Sequence, residues 1–143
     1  MASCSERLYQ PQPRVALGLA LRGVASSAID ISDGLLADLG HILERSRVGA
    51  EVLFAALPPL RFGGAFSANE NEIVRRCIRA GGDDYELCFT APEPCRANIE
   101  RISAALVLPL ARIGKIVVGR GCIVRAADGS AMQIEEQGYD HFA

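Results

Sequence analysis

The chain has 143 residues, half of them apolar, with 15 basic against 17 acidic side chains and a formal net charge of −2. That length supports one domain with its own core and is short for two. No apolar run approaches the roughly 20 residues of a membrane span, and no charged segment followed by an apolar one opens the sequence as a secretory signal would. The near balance of charge argues against a sequence-independent nucleic-acid binder and points to a small molecule or another protein domain as partner.

Residues 1–13 are polar and carry Pro11 and Pro13, so they read as an extended lead-in to a domain over 14–143. Residues 14–23 have helical spacing and a glycine stop. A short strand follows over 25–31. From Gly34 the spacing of Leu35, Leu36, Leu39, Ile42 and Leu43 predicts an amphipathic helix ending near Val48, with Asp38 on its solvated polar face. Residues 50–55 alternate enough for a strand, which the prolines after Leu57 stop. A loop over 61–71 and a second helix over 72–80, ended by Gly81 and Gly82, lead to a compact buried strand at 87–90. Pro92 and Pro94 then precede a helix over 96–106. Residues 112–118 and 122–125 read as strands joined in a hairpin by Gly119-Arg120-Gly121. Asp128-Gly129 makes a further turn before 132–135. Helices alternate early with strands and strands cluster late, which predicts an α+β fold with a mixed sheet packed against helices.

The cysteines at 4, 77, 88, 95 and 122 are odd in number, widely spaced and without a CxxC, and only His41 and His141 could join them. They do not suggest a zinc site. Cys77, Cys88 and Cys122 sit among apolar neighbours and read as small buried hydrophobes of a reduced, cytoplasmic protein.

Three stretches could carry chemistry. In the first, Asp30 and Asp33 flank Ser32 between a strand and a helix. Such a junction offers free backbone N–H groups to phosphate, but carboxylates placed there repel it unless a divalent cation lies between, and oxygen ligands suit Mg²⁺. The competing reading is that Ser32 or Asp33 merely caps the helix. In the second, GGDDYE at 81–86, two glycines permit close approach of a ligand and three carboxylates within four positions invite a cation or hydrogen-bonding ligand. A helix-terminating turn followed by exposed acids accounts for it equally. In the third, GYDHF at 138–142, Tyr139 could stack on an aromatic ring and His141 could titrate near neutrality, or the segment is simply exposed. No P-loop, GxGxxG or GxSxG pattern is present.

AIDISDGLLADLGH at 28–41, GGDDYELCFT at 81–90 and GYDHF at 138–142, in that order, resemble motifs of the thiamine-monophosphate kinase family, and RLYQPQPR at 7–14 is similar to the lead into its C-terminal half. The family's superfamily includes aminoimidazole ribonucleotide synthetase, selenophosphate synthetase and a hydrogenase-maturation protein, all users of ATP. The resemblance runs from end to end of the chain. It implies the layered α+β fold of the C-terminal domain of aminoimidazole ribonucleotide synthetase, with a substrate- and ATP-binding domain over 14–143. It further implies that the family's N-terminal ATP- and magnesium-binding domain is missing, and that the full-length protein is a homodimer.

By the same resemblance, Asp30 and Asp33 would ligate Mg²⁺, Ser32 would contact the phosphates of ATP, and Asp83 and Tyr139 would contact the thiamine phosphate. Asp83 stands where the family has Glu, which keeps the charge and shortens its reach by one methylene. The implied reaction moves the γ-phosphoryl group of ATP to thiamine monophosphate, giving thiamine diphosphate and ADP, with neither nucleic acid nor membrane involved. Both reactants are anionic, so catalysis would rest on charge neutralisation and in-line positioning, with no protein base. Alone, the chain would be inactive. The alternatives are a domain of another ATP-dependent synthetase of the superfamily, or a non-catalytic binding or interaction module.

Overall fold

The computed structural model describes residues 12–58 and 86–132. Expectations that fall on 59–85, including the helix over 72–80, and on 133–143 lie outside these residues.

Helix α1 (Val15–Ala20) turns its apolar stripe inward at Leu17, and Leu21 just past its end is buried as well. Strand β1 (Ser27–Asp30) pairs antiparallel with β3 (Leu87–Thr90), Ser27 opposite Thr90 and Asp30 opposite Leu87. The ladder runs one bond further at each end, from Ser26 N–H to the Thr90 carbonyl and from Ile31 N–H to the Glu86 carbonyl. Helix α2 (Leu35–Ser46) follows β1, then β2 (Gly49–Leu53) and a 3-10 turn at Phe54–Ala56. After β3 come a 3-10 turn at Glu93–Cys95 and helix α3 (Arg96–Leu106), which packs against α1. Strands β4 (Gly114–Val117), β5 (Gly121–Arg125) and β6 (Ala131–Met132) complete the described chain.

The second sheet has the order β4-β2-β5-β6, with β2 antiparallel to β4 and parallel to β5. This corrects the expected hairpin: β4 and β5 are joined through Gly119-Arg120-Gly121 but do not pair, because they flank β2 on opposite edges. A hairpin would have left β2 with an unpaired row of backbone donors and acceptors, whereas the observed arrangement satisfies both of its edges. Gly114 makes the β4 side possible: a Cβ there would stand 2.1 Å from the Glu51 carbonyl oxygen. Beyond β5 the Asp128-Gly129 turn behaves as expected, and β6 returns antiparallel to β5.

Alternation along β2 sends Ala50 and Val52 inward and Glu51 and Leu53 outward. The inward pair meets Leu39 and Leu43 of α2, Cys88 of β3 and Val124 of β5 in one core. Helix α2 therefore lies against both sheets and is the element that joins them. Helices packed against an antiparallel pair and a mixed four-stranded sheet make up the α+β architecture expected.

Candidate active-site loop

Strand β1 delivers the first motif at its C-terminal end. Ile29 and Ile31 face the core, so Asp30 and Ser32 between and beyond them are held outward, as the two-residue period requires. Asp33 is exposed as well. Among the described residues, no hydrogen bond or ion pair engages the carboxylate of Asp30 or Asp33.

Neither Ser32 nor Asp33 caps the helix. The capping position belongs to Gly34, which offers no side chain, at φ 126° and ψ 149°. That backbone conformation is open in practice only to glycine. It turns the chain sharply enough for the first turn of α2 to pass beneath the loop, where the Asp38 N–H closes the first helical bond to the Gly34 carbonyl at 3.0 Å.

Asp38 is the main departure from the sequence expectation. It is not solvated but buried, with 3% exposure, and its Oδ2 accepts both the Ser32 N–H at 2.9 Å and the Asp33 N–H at 3.1 Å. A signal for this was present: at 100° per residue Asp38 lies only about 40° around the helix from Ile42, at the edge of the apolar arc. The two amides that could have cradled a phosphate are thus already occupied by a carboxylate of the chain itself.

The second motif arrives alongside. The bond from Ile31 N–H to the Glu86 carbonyl, 2.8 Å, sets the last residue of GGDDYE directly against the centre of the Asp30–Asp33 loop. The Glu86 side chain is held by Arg14, Nη2 to Oε1 at 2.5 Å and Nε to Oε2 at 3.0 Å, a two-point contact that ties the start of α1 to the start of β3. The same contact raises the pKa of Arg14 above its ordinary value. The sequence places Arg14 at the start of a helix and at the end of the RLYQPQPR stretch, but a pairing 72 residues distant leaves no local trace.

Cys88, below the loop on β3, is buried as expected. Burial pushes its thiol up to about 11, with the Asp38 carboxylate and Cys122 adding to the effect, so it is an unreactive core residue. Asp83, Asp84, Tyr139 and His141 lie outside the described residues, so the structure brings together Asp30, Ser32, Asp33 and Glu86 only. Among the described residues no group of three or more His, Cys, Asp or Glu side chains gathers into a closed metal cage. No helix there is long and apolar enough to cross a membrane.

No family model matches the chain. It is, however, 42% identical over 139 residues to the thiamine-monophosphate kinase of Escherichia coli strain K12, a match that takes in 96% of this chain and 42% of that protein. Its homologues are thiamine-monophosphate kinases. The crystal structure of thiamine-monophosphate kinase from Stenotrophomonas maltophilia K279a superposes with a TM-score of 0.75 at 46% identity, over 89% of this chain and 39% of that one. AaThiL complexed with AMPPCP and TMP superposes at 0.68 with 29% identity, over 96% and 40%. Escherichia coli HypE, a hydrogenase maturation protein, shares the fold at a TM-score of 0.57 and 18% identity, over 86% and 39%. The chain therefore spans about two fifths of the length of the thiamine-monophosphate kinases it matches, consistent with the C-terminal domain expected.

Proposed function

We propose that this chain forms one wall of a thiamine-monophosphate kinase site, in which the γ-phosphoryl group of ATP passes to thiamine monophosphate to give thiamine diphosphate and ADP. The observation that carries the reading is the meeting of two motifs at the Ile31–Glu86 hydrogen bond, in a chain 42% identical to such a kinase. Support for the ligands comes from AaThiL, a structural neighbour that holds AMPPCP, a methylene analogue of ATP, together with TMP.

The residues present fit Mg²⁺. Asp30, Ser32 and Asp33 offer only hard oxygen donors, they are exposed, and the two carboxylates are uncommitted among the described residues. Two carboxylates without a full cage are what Mg²⁺ uses when phosphates and water supply its remaining ligands. Asp30 and Asp33 would hold the cation, which when bound would offset the charge that separates two anionic reactants. Ser32 would donate its hydroxyl to a phosphate oxygen. Asp83 and Tyr139 would orient the thiamine phosphate, with Asp83 reaching one methylene less far than Glu. Apart from the rest of such a kinase, the chain would bind weakly and transfer nothing.

Calorimetric titration with thiamine monophosphate and diphosphate, with and without Mg-ATP, tests this beside a turnover assay. The assay uses the chain alone and the chain fused in place of the matching segment of the Escherichia coli kinase. Turnover is expected only in the fusion. Asp30→Asn in the fusion should lower turnover and raise the Mg²⁺ requirement by about tenfold or more. A fusion that folds but does not turn over, or whose Asp30→Asn variant keeps the parent's magnesium titration, refutes the assignment.

A further inference from the structure

We infer that Asp38 is a positioning residue for the Asp30–Asp33 loop: it gathers the Ser32 and Asp33 amides onto one carboxylate oxygen and so fixes the loop's own carboxylates outward for a divalent cation. The inference rests on the reading of Asp30 and Asp33 as cation ligands. Asp38 itself touches no ligand.

Burial of a carboxylate is costly unless strong donors compensate. Asp38 is 3% exposed, and among the described residues the partners it meets are two backbone N–H groups of the loop and no basic side chain. A helix N-terminus is served more cheaply by an exposed Ser or Asn, so helix capping does not account for a buried charge placed one turn inside α2. Its position accounts for it better. Successive amides converging on one point form an anion-binding concavity, and here Asp38 Oδ2 fills it from below at 2.9 and 3.1 Å.

Two consequences follow for the loop. With both amides turned inward, the peptide planes on either side of Ser32 are fixed, and with them the directions in which Asp30, Ser32 and Asp33 leave the backbone. The amide dipoles that would have attracted a bare anion are also satisfied internally, which favours a cation over an anion on the outer side. Gly34 is part of the same device, because its φ of 126° brings the first turn of α2 back under the loop.

The test uses Mn²⁺ as probe on the ¹⁵N-labelled 143-residue chain, reading paramagnetic broadening of backbone amides, which detects weak sites residue by residue. In the parent, amides of residues 29–35 should broaden first, and Asp30→Asn should remove that preference. Asp38→Ala, folded by circular dichroism, should need about tenfold more Mn²⁺ for the same broadening, while Asp38→Asn, which keeps an acceptor for both amides, should stay within about threefold of the parent. Should Asp38→Ala not fold, Asp38→Glu, which keeps the charge and displaces it, takes its place with the same expectation. Parent-like broadening in Asp38→Ala or Asp38→Glu overturns the inference, as does Asp38→Asn as weak as Asp38→Ala. No preference for 29–35 in the parent, or one that survives Asp30→Asn, overturns the cation reading on which it stands.

Discussion

Gly34 and Asp38 act on the loop from opposite sides. Gly34 supplies a backbone turn that side chains with a Cβ resist, and Asp38 supplies the acceptor that the turn brings into reach. Replacing Gly34 by Ala should therefore cost about 1–3 kcal/mol of stability, the usual range for a residue forced into a glycine-only conformation. Gly40, six residues along the same helix, makes the matched control. A Cβ there meets nothing within 4 Å, and a glycine inside a helix loses more chain entropy on folding than alanine, so Gly40→Ala should stabilise by about 0.5–1 kcal/mol. Urea denaturation of the two variants beside the parent decides it. Equal effects of the same sign would mean that the Gly34 turn is not under the constraint described. The same scale shows what could be read from sequence. Asp30 and Ser32 were legible as outward-facing because Ile29 and Ile31 alternate with them, whereas Asp33 was legible only as a polar residue at the start of a helix. The role of Asp38 was not, because its partners are backbone amides in a loop whose path depends on Gly34.

Elements were more legible than their pairing. β3 and α3 occupy the residues that pattern and proline placement predicted, 87–90 and 96–106. The end of α2 is also close to expectation, since Arg47 takes a left-handed conformation just before Gly49 opens β2. The straddling of β2 by β4 and β5 was hidden because a glycine-rich link between two strands is equally a hairpin or a crossing, and only the free edges of a third strand decide between them. α3 ends on Val107, which adopts φ 50° and is 89% exposed. A β-branched residue in the left-handed region is strained by about 1–2 kcal/mol, and glycine is the usual occupant of such a terminus. Val107 has little packing to lose. Val107→Gly should raise stability by about 0.5–1 kcal/mol after glycine's own entropic cost is set against the relief. A lowered thermal midpoint would show that Val107 makes contacts its exposure does not reveal.

Across the molecule, α2 joins two sheets that carry different duties. The β1-β3 pair presents the motif residues, and the four-stranded sheet backs the core from the other side. The outer face of that second sheet is stitched by a charge cluster: Glu51 on β2 takes Lys115 of β4 at 3.0 Å through Oε2 and Arg125 of β5 at 2.6 Å through Oε1. Arg125 also donates to the Gly129 carbonyl at 3.0 Å, which carries the network into the turn before β6. Hydrogen bonds first from Arg125 and then from Lys115 hold the Glu51 carboxyl at about 2, below its ordinary value of 4.5. A carboxylate with a depressed folded-state pKa binds protons more readily in the unfolded chain. Its contribution is complete above pH 4.5 and is lost as the pH falls from 4.5 through 2. The three side chains come from strands that meet only through β2, so the loss should be felt as a weakening of the whole sheet rather than of one strand. Glu51→Gln should lower the thermal midpoint at pH 7, where the parent network is intact and the variant leaves two cations facing a neutral amide. Below pH 3 the parent approaches the variant, and the two midpoints should converge as the pH nears 2. Melting curves of both proteins at a series of pH values between 2 and 7 measure the gap. A gap that stays constant down to pH 2 would mean that the contribution of Glu51 is one of packing and not of charge.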